Sequence, residues 1–254
     1  MDLGFKGKVA LVTGAGSQIG FGKQIALLLA KEGCDAVAVT DIIDDVNLTM
    51  EEIKKLGKKS IAVKADITKP DDVAALMKKV VDEYKTIDIL CNVAGGIASR
   101  APYDQAKPED WDKDIRLNLY SMMLTCQAAL PYMREKKSGA IVNIGSGSTR
   151  MYGHGAGNMY AISKSGVDTF TKQLAFNEAK NGIRANCVAP GPAPTNFIPG
   201  PDKKAIIDML AKTIPLGRGA TQTDIANATI FFASELSSYI TGAILHVSGG
   251  SVLD

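Results

Sequence analysis

Tyr160-Ala-Ile-Ser-Lys164 places a phenol and an ammonium four residues apart, the spacing that puts two side chains on one face of a helix. A free tyrosine has a pKa of about 10, so its phenolate is only about one part in a thousand at neutral pH. A lysine held beside it favours the phenolate. Lowering the pKa by about 2–3 units corresponds to roughly 3–4 kcal/mol and yields a proton donor and acceptor working near pH 7. Upstream, Thr13-Gly-Ala-Gly-Ser-Gln-Ile-Gly-Phe-Gly-Lys23 is rich in glycine. Between a strand and a helix, such a loop lets the backbone approach a diphosphate, whose charge the helix N-terminus stabilises. Gly22-Lys23 imitates the end of a triphosphate-binding loop. Ser17, however, stands where that motif needs its first glycine, and Gln24 where it needs a Ser/Thr metal ligand. The dinucleotide reading is preferred. Asp41 closes the next strand pattern, where an acid accepts hydrogen bonds from the adenosine ribose and repels a 2′-phosphate. Ile42 and Ile43 follow, offering no phosphate clamp, so the expected cofactor is NAD.

These residues need a scaffold. Short apolar, β-branched runs at 8–13, 36–40, 60–64, 87–91, 140–144, 183–188 and 243–247 are predicted strands, with helical patterns between them. In the helix after Pro70, Val73, Leu76, Met77, Val80, Val81 and Tyr84 recur at helical spacing. Its start, Thr68-Lys-Pro-Asp71, carries a capping residue, an early proline and a first-turn acid. Strand–helix alternation with no polar linker predicts α/β architecture: one Rossmann-type, doubly wound parallel sheet covered by helices on both faces, in a single domain over 1–254. The Pro/Gly-rich stretch 190–201 reads as the start of a substrate loop extending over about 190–217.

Composition narrows the function. The 29 Lys+Arg against 27 Asp+Glu leave a net charge of +2, which gives no reason to expect nucleic acid or an anionic membrane as partner. No apolar run approaches a membrane span or a signal peptide. Cys34, Cys91, Cys126 and Cys187 are scattered and read as reduced, mostly buried thiols of a cytoplasmic protein. His154 and His246 lack metal-ligand spacing, so no metal is expected.

Taken together, Phe5-Lys-Gly-Lys-Val-Ala-Leu-Val-Thr-Gly14, Asn92-Val-Ala-Gly95, Asn118, Ile141-Val-Asn-Ile-Gly-Ser146, Tyr160-x-x-x-Lys164 and Val188-Ala-Pro-Gly191 resemble the short-chain dehydrogenases/reductases over nearly the whole chain. The resemblance implies an NAD-dependent interconversion of a secondary alcohol and a ketone. It makes Tyr160 the general acid/base and Lys164 its pKa-lowering partner and a ribose contact. Ser146 becomes the donor to the substrate oxygen, and Asn118 the anchor of a water linking Lys164 to solvent. Cofactor contacts are implied at Gly14, Ser17, Gln18, Ile19, Gly20, Asp41, Asp66, Ile67, Asn92, Ala94, Gly95, Pro190, Gly191 and Thr195, besides Tyr160 and Lys164. A homotetramer is also implied, in keeping with apolar residues on the predicted helix 110–133 and on the helix of Tyr160.

Several positions depart from the family pattern. The glycine loop has two more residues before Gly20 than the commonest form, which resembles the enoyl-thioester reductase branch. That branch spaces its tyrosine and lysine more widely, so enoyl reduction is the second reading; a dinucleotide sensor without catalysis is the third. Asn92-Val93 replaces a usual double asparagine, Val247-Ser248 a usual Val-Asp, and Gly145-Ser146 a common Ser-Ser. Ser146 fits the strand end better than nearby Ser148. Ser148, Tyr152 and His154 are the candidate substrate contacts.

Overall fold

Seven strands carry the β-branched runs into one sheet: β1 (Val9–Thr13), β2 (Ala36–Asp41), β3 (Lys59–Lys64), β4 (Ile89–Asn92), β5 (Gly139–Ile144), β6 (Ile183–Pro190) and β7 (Ile244–Val247). Every pairing is parallel and the order is β3-β2-β1-β4-β5-β6-β7. The helices are α1 (Phe21–Lys31), α2 (Val46–Lys55), α3 (Pro70–Tyr84), α4 (Pro108–Ile115), α5 (Ser121–Lys136), α6 (Asn158–Glu178), α7 (Lys203–Ala211) and α8 (Gln222–Ala233). This computed structural model describes residues 2–151, 157–198, 200 and 202–253.

The two-residue period of the strands sorts the core onto two faces. Ala10, Val12, Val37, Val39, Val142 and Ile144 meet Ile25 and Leu29 of α1 and Ile225 and Ile230 of α8. Leu11, Ala38, Leu90 and Ile141 meet Val73, Leu76, Met77 and Val80 of α3 and Cys126 and Met133 of α5. The chain reverses its winding between β1 and β4. In open parallel sheets that crevice, at the carboxyl ends of the strands, is where ligands bind.

Two local expectations are corrected. Thr68 does not cap α3: the N-cap is Lys69, without a side-chain cap, while the Thr68 hydroxyl and N–H both donate to Asp66 Oδ1, at 2.7 and 3.1 Å. Pro70 takes the first helical position, so the N-cap falls on Lys69, one residue after Thr68. The predicted helix 110–133 is two α-helices joined by a π-helical turn, Arg116–Tyr120. All four cysteines are buried and free. Among the described residues no helix is long and apolar enough to cross a membrane.

Candidate active site

The glycine loop leaves β1 in a form that few side chains tolerate. Gly14 has φ +67°, and a Cβ there would lie 2.7 Å from Ala94 Cα and N. Thr13 holds the opposing loop in place, its Oγ1 accepting the N–H groups of Val93 and Ala94 at 3.0 and 3.1 Å. The extra residues of the loop are braced by Gln18, whose Nε2 donates to Gly16 O and Asp45 O, and by Lys23, which donates to Gln18 Oε1 and Glu52. Gln18 therefore supports the loop, and Ile19 is exposed. Across the crevice, Asn196 Nδ2 donates to Ser17 Oγ, and Gln222 Nε2 to Ile19 O and Pro194 O, tying the loop to the segment after β6.

A cleft of about 320 Å³ follows, lined by Gly14, Ser17, Gly20, Asp41, Asp66, Ile67, Ala94, Gly95 and Thr195 among others. Asp41 Oδ2 accepts the Gly16 N–H at 2.8 Å, and Oδ1 accepts Ile42 N–H at 2.7 Å. Oδ1 also accepts the Ile43 N–H at 3.3 Å, so of a carboxylate's roughly four acceptor sites about one remains for a ribose hydroxyl. Lys64, opposite Asp41 on β3, reaches Asp44 instead. Burial would raise the Asp66 carboxyl, but the Thr68 bonds and Lys69 hold it below its ordinary value. The side chain of Asn92 is not brought into the cleft. It is buried in the sheet, donating to Cys126 Sγ and Asn143 Oδ1 and accepting from Thr125.

A second cavity of about 240 Å³ adjoins the cleft, sharing Gly95, Thr195 and Phe197 with it. Ser146, Ser148, Tyr160, Lys164, Pro190 and Gly191 line it. Ser146 leaves the end of β5, Tyr160 and Lys164 project from α6, and Asn118 comes from the π turn. Asn118 Nδ2 bonds the Asp114 carbonyl at 2.9 Å and Gly96 O at 2.8 Å. A Cβ on Gly95 would meet Asn118 Oδ1 at 2.8 Å and Lys164 Nζ at 3.3 Å, so the absent side chain lets these groups converge. Tyr152 and His154 lie outside the described residues.

Hydrogen counting orients the site. Ser146 Oγ accepts from Ser148 N–H at 3.1 Å and from Ser148 Oγ at 2.8 Å, which fills its lone pairs. Its own hydrogen then points to Tyr160, to which it is hydrogen-bonded. Ser148 stands behind Ser146 as its donor. The expectation that Lys164 lowers the tyrosine pKa is corrected. Burial pushes the Tyr160 phenol up to about 12, opposed by the Ser146 bond, with the Asp114 carboxylate raising it and Arg100 lowering it. Lys164 Nζ donates to Ile144 O at 2.8 Å and lies 5.9 Å over the phenol ring. Burial lowers the ammonium itself to about 8, against the Cys187 and Asp168 charges, which raise it. It is the lysine that comes into working range.

A family described as enoyl-(acyl carrier protein) reductase matches residues 14–251. The 3-oxoacyl-(acyl-carrier-protein) reductase of Staphylococcus epidermidis is 39% identical over 248 residues, covering 96% of this chain and 98% of that one. The cis-4-hydroxycyclohexanecarboxylate dehydrogenase of Sinomonas cyclohexanicum is 35% identical over 250 residues, 98% of each. A solved 7 alpha-hydroxysteroid dehydrogenase, complexed with NADH and 7-oxo glycochenodeoxycholic acid, superposes with a TM-score of 0.91 at 32% identity, covering 100% of this chain and 97% of that one. The chain belongs to the short-chain dehydrogenase/reductase family. It is an oxidoreductase of that class.

Within the family pattern, Gly145 has a local cause in this chain. A Cβ there would fall 2.6 Å from Cys187 Sγ and 3.2 Å from Asp168 Oδ1, which fill the space beneath the Ser146 turn. Gly145→Ala is expected to destabilise by about 1–3 kcal/mol through overpacking. Adding Cys187→Ala should recover much of that loss, because the colliding sulfur is gone. Thermal melts of the two single variants and the double read the coupling. Simple addition of the two losses would contradict this account.

Sequence reasoning missed the apolar wall of the second cavity. Phe197 packs edge-on against Tyr160, with ring centroids 5.6 Å apart, and Met151, Leu210 and Ile214 complete the wall. The only signal for Phe197 and Leu210 was their place in the 190–217 segment. Arg100 carried none.

Proposed function

We propose that the chain is an NAD(H)-dependent oxidoreductase that interconverts a secondary alcohol and a ketone, with Tyr160 as the general acid/base. The observation that carries this reading is the convergence of Ser146, Tyr160, Lys164 and Asn118 on a cavity adjoining an Asp41-flanked, glycine-walled cleft. The names of the relatives support it, being those of reductases and dehydrogenases of oxo- and hydroxy-compounds.

The cleft fits a dinucleotide, since a Cβ on Gly14 would fill the wall that a diphosphate must approach. Gly14, Ser17 and Gly20 would hold the diphosphate, Asp41 the adenosine ribose, and Gly95, Pro190, Gly191 and Thr195 the nicotinamide end. When bound, the nicotinamide supplies or takes the hydride. The protein's part is proton and charge. Ser146 and Tyr160 donate to the substrate oxygen as negative charge develops on it. In reduction Tyr160 Oη gives its proton to that oxygen; in oxidation it takes the alcohol proton. Lys164 holds the compensating positive charge, and Asn118 fixes the loop at Gly96 beside it.

The second reading, an enoyl-thioester reductase, is favoured by the longer glycine loop. The four-residue spacing of Tyr160 and Lys164 and the Ser146–Tyr160 bond favour the carbonyl reaction. The homotetramer expected from the resemblance would cover Met123 of α5 and Ile162 and Phe176 of α6, all exposed on one chain.

The choice of NAD rests on Asp41. Asp41→Asn keeps an acceptor for Gly16 N–H and removes the charge. The ratio of kcat/KM with NAD to that with NADP should fall about tenfold or more, the scale of a charge-assisted hydrogen bond. Measuring both cofactors on one substrate checks it. Equal or better activity of the unaltered protein with NADP would overturn the assignment.

A further inference from the structure

We propose that Asp168 is a positioning residue of the active site: its buried carboxylate is the counter-charge of the Lys164 ammonium and braces the turn that carries Ser146. This rests on the reading of Lys164 as the partner of Tyr160 and names what holds that partner.

Tyr160, Lys164 and Asp168 recur at every fourth residue of α6, which places them on one face, and all three are buried, at 7%, 2% and 8% exposure. The Lys164 ammonium bonds a neutral carbonyl, Ile144 O, at 2.8 Å. A buried cation is costly without an opposite charge nearby, and the carboxylate one turn further along the helix supplies it. Asp168 also reaches under the residue that follows Ile144. A Cβ on Gly145 would lie 3.2 Å from Asp168 Oδ1, and Cys187 Sγ donates to that oxygen at 3.7 Å. The Thr149 hydroxyl donates to Ser146 O at 3.1 Å and is also hydrogen-bonded to Asp168. The acid is thus tied to the turn that both carries Ser146 and accepts Lys164.

Besides Lys164, groups from three neighbouring segments face this carboxylate: Thr149 and Arg150 after β5, Cys187 of β6 and His246 of β7. Burial raises the Asp168 carboxyl, while the Thr149 and Cys187 bonds and the His246 and Arg150 charges favour its ionised form. At Lys164, burial lowers the ammonium to about 8, and the Cys187 and Asp168 charges raise it. Burial also holds the Cys187 thiol well above its ordinary value, so near pH 8 the thiol is neutral and Asp168 carries the charge. Asp114 and Arg100 face the Tyr160 phenol and are common to every variant below.

Asp168→Asn keeps the shape and a hydrogen-bonding oxygen and removes the charge. Two titrations are read on it. One is the pH profile of alcohol oxidation. The other is the NMR shift of isotope-labelled lysine Cε carbons, with Lys164 assigned by its loss in Lys164→Met. Both midpoints should move down by about one pH unit, the lower end of what an adjacent opposite charge contributes. Asp168→Glu, which keeps the charge, should hold them near those of the unaltered protein. Asp168→Ser, smaller and uncharged, should move them down as the amide does, and it serves if Asp168→Asn does not fold. A merely structural role would slow turnover and leave both midpoints in place, and that result overturns the proposal. A lysine midpoint that moves while the kinetic profile stays also overturns it, because the carboxylate would then act on a lysine that the reaction does not use. If the unaltered protein oxidises no alcohol, the functional reading fails on its own. The NMR midpoint then decides: a downward move supports the counter-charge, and an unmoved midpoint overturns it.

Discussion

Tyr160→Phe is expected to lower turnover by a factor of about 10² to 10⁴, the usual contribution of a positioned acid/base. The substitution removes the transferable proton and little else. The ring still packs against Phe197, and a hydroxyl that burial holds in its neutral form is lost from the apolar wall. Tyr160 lines the second cavity and not the dinucleotide cleft, so affinity for NAD should change little. Steady-state kinetics on one good substrate, with nicotinamide fluorescence for binding, separates the two effects. Turnover equal to that of the unaltered protein would make the phenol structural and end the proposed mechanism, even if NAD still binds.

Lys164→Met is the second large effect, because it removes the group that brings the pair into working range. Tyr160 and Lys164 hold two dissociable protons between them. The first proton leaves near 8 from the ammonium side, and the one-proton form includes the phenolate–ammonium tautomer that accepts an alcohol proton. Alcohol oxidation should therefore rise with pH through about 8, while ketone reduction falls through the same range. In Lys164→Met the remaining ionisation is that of the buried phenol, up at about 12, so oxidation near neutral pH should fall by about 10² or more and its pH rise should move upward. A profile unchanged in midpoint would contradict the assignment. Stability carries the same sign. The folded ammonium titrates near 8 against 10.5 in an unfolded chain, so the unfolded state holds the extra proton between those values. Stability should rise with pH from about 8 until the unfolded tyrosines begin to ionise near 10. In the methionine variant that rise should be lost.

Much of the scaffold was legible because buried parallel strands leave a plain mark: 36–40 and 183–188 are apolar runs, and they form strands that end within two residues of expectation. The residues Ser146, Tyr160, Lys164 and Asn118 could be named because each sits at a strand end or on a helix that a motif locates. What depends on competition in space was not legible. The cap expected of Thr68 is absent because Pro70 takes the first helical position, which leaves Thr68 one residue before the N-cap with its hydroxyl donating to Asp66. A lysine four residues from a tyrosine suggests a lowered phenol pKa, yet burial acts on both groups and lowers the lysine instead. Asn92, read as a cofactor contact, turns its side chain into a buried network with Asn143 and Thr125. The reason for Gly145 lies in Cys187 and Asp168, distant in sequence. The substrate wall is assembled from loops after β4, β5 and β6, where no period exists to read.

Hydride transfer to a carbonyl carbon is tested most directly by isotope placement. NADH carrying deuterium at the transferable position of nicotinamide C4 is incubated with the protein and a ketone that it turns over, or with a conjugated enoyl thioester, and the products are read by NMR. Deuterium on the new carbinol carbon, lost in Tyr160→Phe, is the expected result. Deuterium found only on the carbon β to a thioester would make the protein an enoyl reductase, and no transfer to either compound would contradict catalysis of this class altogether.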